Sequence, residues 1–143
     1  MNSNIRFFSE EINFTLKKKT VTRNWLTDVI REELKTPLNI NYIFCTDEYL
    51  SELNKKYLNH TTLTDIITFP EISNPKKISG EIYISVDRIK ENAEQYQETF
   101  DNELARVMVH GILHLLGYKD KTPFEKELMT SKEDYYLKKF LLF

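Results

Sequence analysis

Cysteine is almost missing from this chain: Cys45 stands alone. A single thiol cannot close an internal disulfide, so the fold must rest on its core, and a reducing compartment, the cytoplasm, is the expected location. Glycine and proline are also scarce, at 3 and 4 residues, and too dispersed to mark an interdomain linker; no repeat or low-complexity stretch is visible. No apolar run approaches the roughly 18 residues that suggest a membrane span. The opening MNSNIRFFSEEINF has neither the basic start nor the apolar centre of a secretory signal. A soluble protein with no membrane partner is expected. Charge of one sign is lacking too. With 20 basic and 22 acidic residues the formal net charge is -2, which is no general nucleic-acid footprint, so any RNA contact must come from a local basic patch.

What is present fits one core. The chain has 143 residues, 41% of them hydrophobic, enough for a single domain spanning residues 1–143. IRFF and EINFTL read as short strands. TVTRNWLTDVIREELK places Val21, Trp25, Val29 and Ile30 on one helical face, ending before Pro37. NINYIF alternates as a half-buried strand. A helix follows, with Thr46 or Asp47 as its N-cap and Tyr49, Leu50, Leu53 and Tyr57 along its stripe. DIITF is a strand stopped by Pro70, and Gly80 opens a second one, GEIYISV. Helices are expected over DRIKENAEQYQ, from about Asp101 to Leu116, and from Pro123 onward to an apolar tail, FLLF. This order predicts an α+β fold, a small mixed β-sheet packed with helices.

The chemistry concentrates in VMVHGILHLLGYKDKTPFE. Residues four apart on a helix stand about 6 Å apart on one side, so His110 and His114 can converge on one point. That is the histidine spacing of zinc hydrolases, and it suggests a zincin-like metal site on a helix. Gly111 stands where the HExxH motif of metalloproteases has its glutamate base, which argues against that mechanism. Gly117 suits the left-handed turn that ends a helix. Thr122, Pro123 and Glu125 read as the cap, first residue and capping box of the next one. Asp120 sits on the short tether between them. It can complete a two-histidine, one-carboxylate ligand set for a divalent ion, most simply Zn2+; as a turn residue it would instead cap helix amides. Three ligands leave a position open for water, whose pKa zinc lowers to about 7, so hydrolysis is the reaction class that follows.

These residues resemble a known family. HGILHLLGYKD is similar to the HGxLHLxGYDH signature of the YbeY family, bacterial metal-dependent endoribonucleases of ribosomal RNA maturation. LNKKYLNHTTLTDIITFP is similar to its LNxxYRxxDxPTDVLSFP segment, and GEIYIS to its GDIxIS. The resemblance covers nearly the whole chain. It implies a small α+β metalloprotein with one zinc in a cleft. It further implies a cytoplasmic role in ribosomal RNA processing and ribosome quality control, with ribosomal RNA and small-subunit proteins as partners. Two positions depart from the pattern. Asp120 replaces the usual third histidine, which keeps a zinc ligand but leaves iron(II) or another divalent ion open. Leu58 replaces an arginine that would face the active site, so another cation must meet phosphate: Lys55, Lys56, Arg106, Lys119 or Lys121. Two other readings stand beside the nuclease: a ribosome-assembly factor with a structural metal, and a metal-dependent hydrolase of another substrate such as peptides.

Other polar residues have plainer readings beside their functional ones. Asp65 can orient substrate or serve as a strand-entry turn residue, and Ser85 can line the cleft or cap the following helix. His60 reads as an exposed loop histidine. Lys17, Lys18 and Lys19 read as solvated surface or as phosphate contacts. Tyr42 and Tyr83 either pack or stack on bases, and Cys45 reads as a small buried hydrophobe.

Overall fold

The computed structural model of the chain describes residues 4–58, 63–72 and 74–140. In chain order the elements are β1 (Ile5–Ser9), α1 (Lys19–Glu32), β2 (Thr36–Cys45), α2 (Asp47–Leu53), β3 (Ile66–Glu71), β4 (Lys77–Ser85), α3 (Val86–Gln95), α4 (Phe100–Leu115) and α5 (Pro123–Phe140). The fold is α+β. Its sheet runs β1-β2-β4-β3, with β1, β2 and β4 parallel and β3 antiparallel to β4. His60 and the last three residues of the FLLF tail lie outside the described residues.

Two apolar clusters sandwich the sheet. Ile40, Tyr42 and Phe44 of β2 join Ile82 and Ile84 of β4 in the main core, where they meet Trp25 and Ile30 of α1 and Met108 and Ile112 of α4. The other face carries a smaller cluster of Cys45, Leu50 and Ile67. β2 is a central strand and is therefore buried on both faces toward its end, as parallel strands are. Tyr42 is wholly buried and its hydroxyl donates to the Met108 carbonyl at 2.6 Å, so packing, not base stacking, accounts for it. Tyr83 lies nearly parallel to Tyr49, with ring centroids 6.2 Å apart, and Phe69 meets it edge-on.

Local punctuation explains most element ends. Thr46, Ser85 and Thr99 each accept a backbone N–H at a helix start. Four expectations are corrected. EINFTL forms no strand: the Glu10 N–H still bonds the Phe44 carbonyl, but Glu11 turns the chain with φ 55°, and Phe14 and Leu16 pack from an irregular segment. Pro70 does not stop β3, because β3 is an edge strand that tolerates a missing N–H, so pairing continues to Glu71. Gly80 does not open β4, which starts at Lys77; a Cβ at Gly80 would lie 2.8 Å from the Phe69 carbonyl oxygen. After α2 the chain makes one wider π-helical turn, Asn54–Leu58. That widening shifts the helical phase, and Tyr57, expected on the buried stripe, is exposed.

Candidate metal centre

The site is built on the last two turns of α4 and the bend beyond it. α4 lies against β3 and β4 and approaches them closely at Gly111: a Cβ there would sit 2.9 Å from Ile82 Cγ2 and 3.0 Å from Ile66 Cδ1. Position 111 thus faces the sheet, while His110 and His114 face the cleft. A glutamate at position 111, as in HExxH, would have to enter the core. The helix stops at Gly117, whose φ is 107°, and the Tyr118 N–H closes the reversal on the Leu113 carbonyl at 3.0 Å. Thr122 and Glu125 then form the expected capping box, with Thr122 Oγ1 accepting from the Glu125 N–H and Glu125 Oε1 from the Thr122 N–H.

Between these two fixed points Asp120 swings back over the histidine stripe. Its Oδ2 lies 3.3 Å from His110 Nε2 and 3.3 Å from His114 Nε2. Direct charge-assisted hydrogen bonds are shorter, about 2.7–2.9 Å. Donors bound tetrahedrally at about 2.0–2.1 Å from a zinc ion are spaced by about 3.3–3.4 Å. The three ligand atoms all lie within 4.8 Å of one another, and the donor set therefore fits a divalent cation. The surrounding charge fits it too. Burial pulls the His110 pKa down, but the hydrogen bond to Glu133 and the charges of Glu133, Asp120 and Asp65 outweigh it and leave the ring more basic than usual. Carboxylates that crowd one imidazole in this way favour a bound cation.

The three side chains open on a cleft of about 400 Å3, whose other walls include Asn54, Leu58, Thr64 and Asp65. Asp65 takes the strand-entry position read from its sequence and also borders the cleft. Its backbone carbonyl accepts the Ser85 N–H at the entry to β3, and its side chain borders the cleft, with a carboxyl pKa raised by burial despite the attraction of His110. Ser85 caps α3 and donates to Asp47 Oδ1 at 2.7 Å. A larger hollow, about 720 Å3, lies between the segment before α1 and the start of α4; Lys17 and Lys18 border it, away from the histidines.

The profile of the family described as Endoribonuclease YbeY matches residues 4–141. The chain belongs to the YbeY family. It is 50% identical over 133 residues to the endoribonuclease YbeY of Flavobacterium psychrophilum, covering 93% of this chain and 94% of that one. To the endoribonuclease YbeY of Amoebophilus asiaticus it is 47% identical over 135 residues, covering 94% and 92%. The solution structure of a Thermotoga maritima protein superposes with a TM-score of 0.67 at 28% identity, covering 95% of this chain and 88% of that one.

Against the YbeY pattern, Leu58 does stand on the cleft wall, where an apolar side chain offers phosphate nothing. The candidate cations are unequally placed. Lys119 and Lys121 are exposed on either side of Asp120 and form no ion pair among the described residues. Lys55 and Lys56 are exposed on the π turn, with Lys56 over the Tyr57 ring. Arg106 is engaged with Glu133 at 2.9 Å and Asp134 at 2.7 Å. Sequence reasoning missed Glu133, which is buried on α5 and approaches His110 Nδ1 to 2.7 Å. The signal was present: Met129, Glu133 and Tyr136 form the buried stripe of α5, and a carboxylate on such a stripe needs a partner.

Proposed function

We propose that this chain, acting as a single domain, is a metal-dependent endoribonuclease that cleaves single-stranded regions of ribosomal RNA in the cytoplasm. His110, His114 and Asp120 would hold one zinc ion. The observation that carries this reading is the pair of 3.3 Å spacings between Asp120 Oδ2 and the two Nε2 atoms. Family membership supports the nuclease chemistry, and small-subunit proteins are the partners a factor of this kind would meet on its substrate. A bound divalent ion supplies Lewis acidity and a water acidified toward neutral pH.

The chain's own residues do the rest. With an ion bound, the imidazoles at positions 110 and 114 would present nitrogen lone pairs to it and the Asp120 carboxylate would add negative charge. Asp65, beside them on the cleft wall, holds or accepts a proton on its carboxylate. Lys119 and Lys121 flank the site and supply the positive charge that Leu58 does not. No helix among the described residues is long and apolar enough to cross a membrane.

The test incubates zinc-loaded protein and His114→Ala with single-stranded and structured ribosomal RNA fragments and with a peptide library. The expected result is cleavage of single-stranded RNA, lost in the variant. Cleavage that persists in His114→Ala overturns the metal mechanism. Zinc-dependent binding of ribosomal particles without cleavage favours the assembly-factor reading, and peptide cleavage a different hydrolase.

A further inference from the structure

We propose that Glu133 is the positioning residue of the metal centre, fixing the tautomer and orientation of His110 from a neighbouring helix. The inference rests on the metal-centre reading above and concerns how one ligand is prepared for the ion.

Arg106, His110 and His114 recur every four residues and so line one stripe of α4. His110 uses its two nitrogens in opposite directions. Nε2 faces Asp120 and the cleft, and Nδ1 lies 2.7 Å from Glu133 Oε2. A carboxylate oxygen at that distance accepts from a ring N–H, which favours a proton on Nδ1. A neutral ring protonated there has its lone pair on Nε2, on the side where an ion would bind.

Glu133 is itself held. It is 7% exposed, and its other oxygen accepts from Arg106 Nη1 at 2.9 Å, while Arg106 Nη2 donates to Asp134 Oδ1 at 2.7 Å. The guanidinium, one turn before His110, thus ties α5 to the same stripe that carries the ligands. His114 differs: no hydrogen bond to its Nδ1 is present among the described residues. One ligand is locked from behind and the other is left to adjust.

The test compares wild type, Glu133→Gln, Glu133→Ala and, as a control for charge lost from the same helix, the exposed Glu127→Gln. Zinc affinity is measured by competition with a chromophoric chelator, and the His110 tautomer by imidazole 15N shifts of the metal-free protein. Melting of the metal-free proteins reports folding separately. Glu133→Gln should bind zinc about 10- to 100-fold more weakly, and Glu127→Gln should match wild type. Measured at a pH where the ring is neutral, wild type should show the Nδ1–H form, and Glu133→Ala should lose that preference. Wild-type zinc affinity in Glu133→Gln, or an unchanged tautomer in Glu133→Ala, overturns the proposal. Should wild type itself bind no zinc, the metal-centre reading fails, and the tautomer measurement alone decides the role of Glu133.

Discussion

Replacing Gly111 by alanine tests how closely α4 must approach the sheet for the site to form. The new methyl would lie 2.9 Å from Ile82 Cγ2, 3.0 Å from Ile66 Cδ1 and 3.1 Å from Ile82 Cδ1. Carbon atoms in good contact sit about 3.5–4.0 Å apart, so each neighbour must retreat by about half an ångström or more. Ile82 is wholly buried and has little room to do so. Overpacking of this kind costs about 1–3 kcal/mol, while alanine regains about 1 kcal/mol of helix propensity over glycine. The balance is a loss of about 0–2 kcal/mol. It should appear in urea unfolding of the metal-free protein as a lower midpoint with an unchanged slope. If α4 escapes by lifting from the sheet, His110 moves with it and zinc affinity falls as well. A Gly111→Ala protein that is about 1 kcal/mol more stable than wild type, with its zinc affinity intact, would refute the reasoning, since propensity would then act unopposed.

Other consequences follow from the same contacts. Glu33, at the end of α1, accepts from Tyr118 at 2.6 Å, from Lys132 at 3.0 Å and from the Tyr136 hydroxyl. Burial acts to raise its pKa, but these donors prevail and hold it below the usual carboxylate range. Glu33→Gln should therefore destabilise by about 1–3 kcal/mol at pH 7. The deficit should shrink as pH falls below about 4.5, because the wild-type carboxylate then loses its charge too. Because Tyr118 fixes the bend that carries Asp120, zinc titration should also show weaker binding. Glu103 is the opposite case: burial, reinforced by Asp65, raises its pKa to about 7. It opposes folding as pH rises from about 4.5 through 7, so Glu103→Gln should gain about 1–2 kcal/mol at pH 8 and nothing below pH 4 in chemical unfolding. Replacing Lys119 and Lys121 together by alanine should weaken single-stranded RNA binding and reduce the slope of log affinity against log salt by about 1–2, with zinc affinity unchanged. An unaltered slope would show that these lysines do not meet phosphate.

The parts of the site legible in the sequence are those set by local chain geometry. The spacing of His110 and His114, the left-handed Gly117 and the Thr122–Glu125 box each involve residues within a turn of one another, and each takes the predicted form. Together they place Asp120, because few paths join two such fixed ends. Glu133 was not legible as a partner of His110: the residues are 23 apart in sequence, and only the packing of α5 on α4 brings them together. The same holds for Arg106, read as a cation for phosphate until its two acidic partners on α5 are seen. In the sheet, alternation located most strands but misled where context decided. Pro70 could remain in β3 only because that strand lies at an edge. The segment around Phe14 buries apolar groups without pairing, because Glu11 turns it away. The π turn after α2 had no local mark, yet it displaced Tyr57 from the face that a regular helix would give it.

X-ray absorption fine structure of the stoichiometrically zinc-loaded protein tests the centre most directly. One ion per chain is expected, with two imidazole nitrogens and carboxylate or water oxygens at about 2.0–2.2 Å, no sulfur, and a coordination sphere that changes in Asp120→Ala. A protein that retains no ion after native purification and zinc titration would contradict it. So would an ion whose coordination sphere contains fewer than two imidazoles or is indifferent to loss of Asp120.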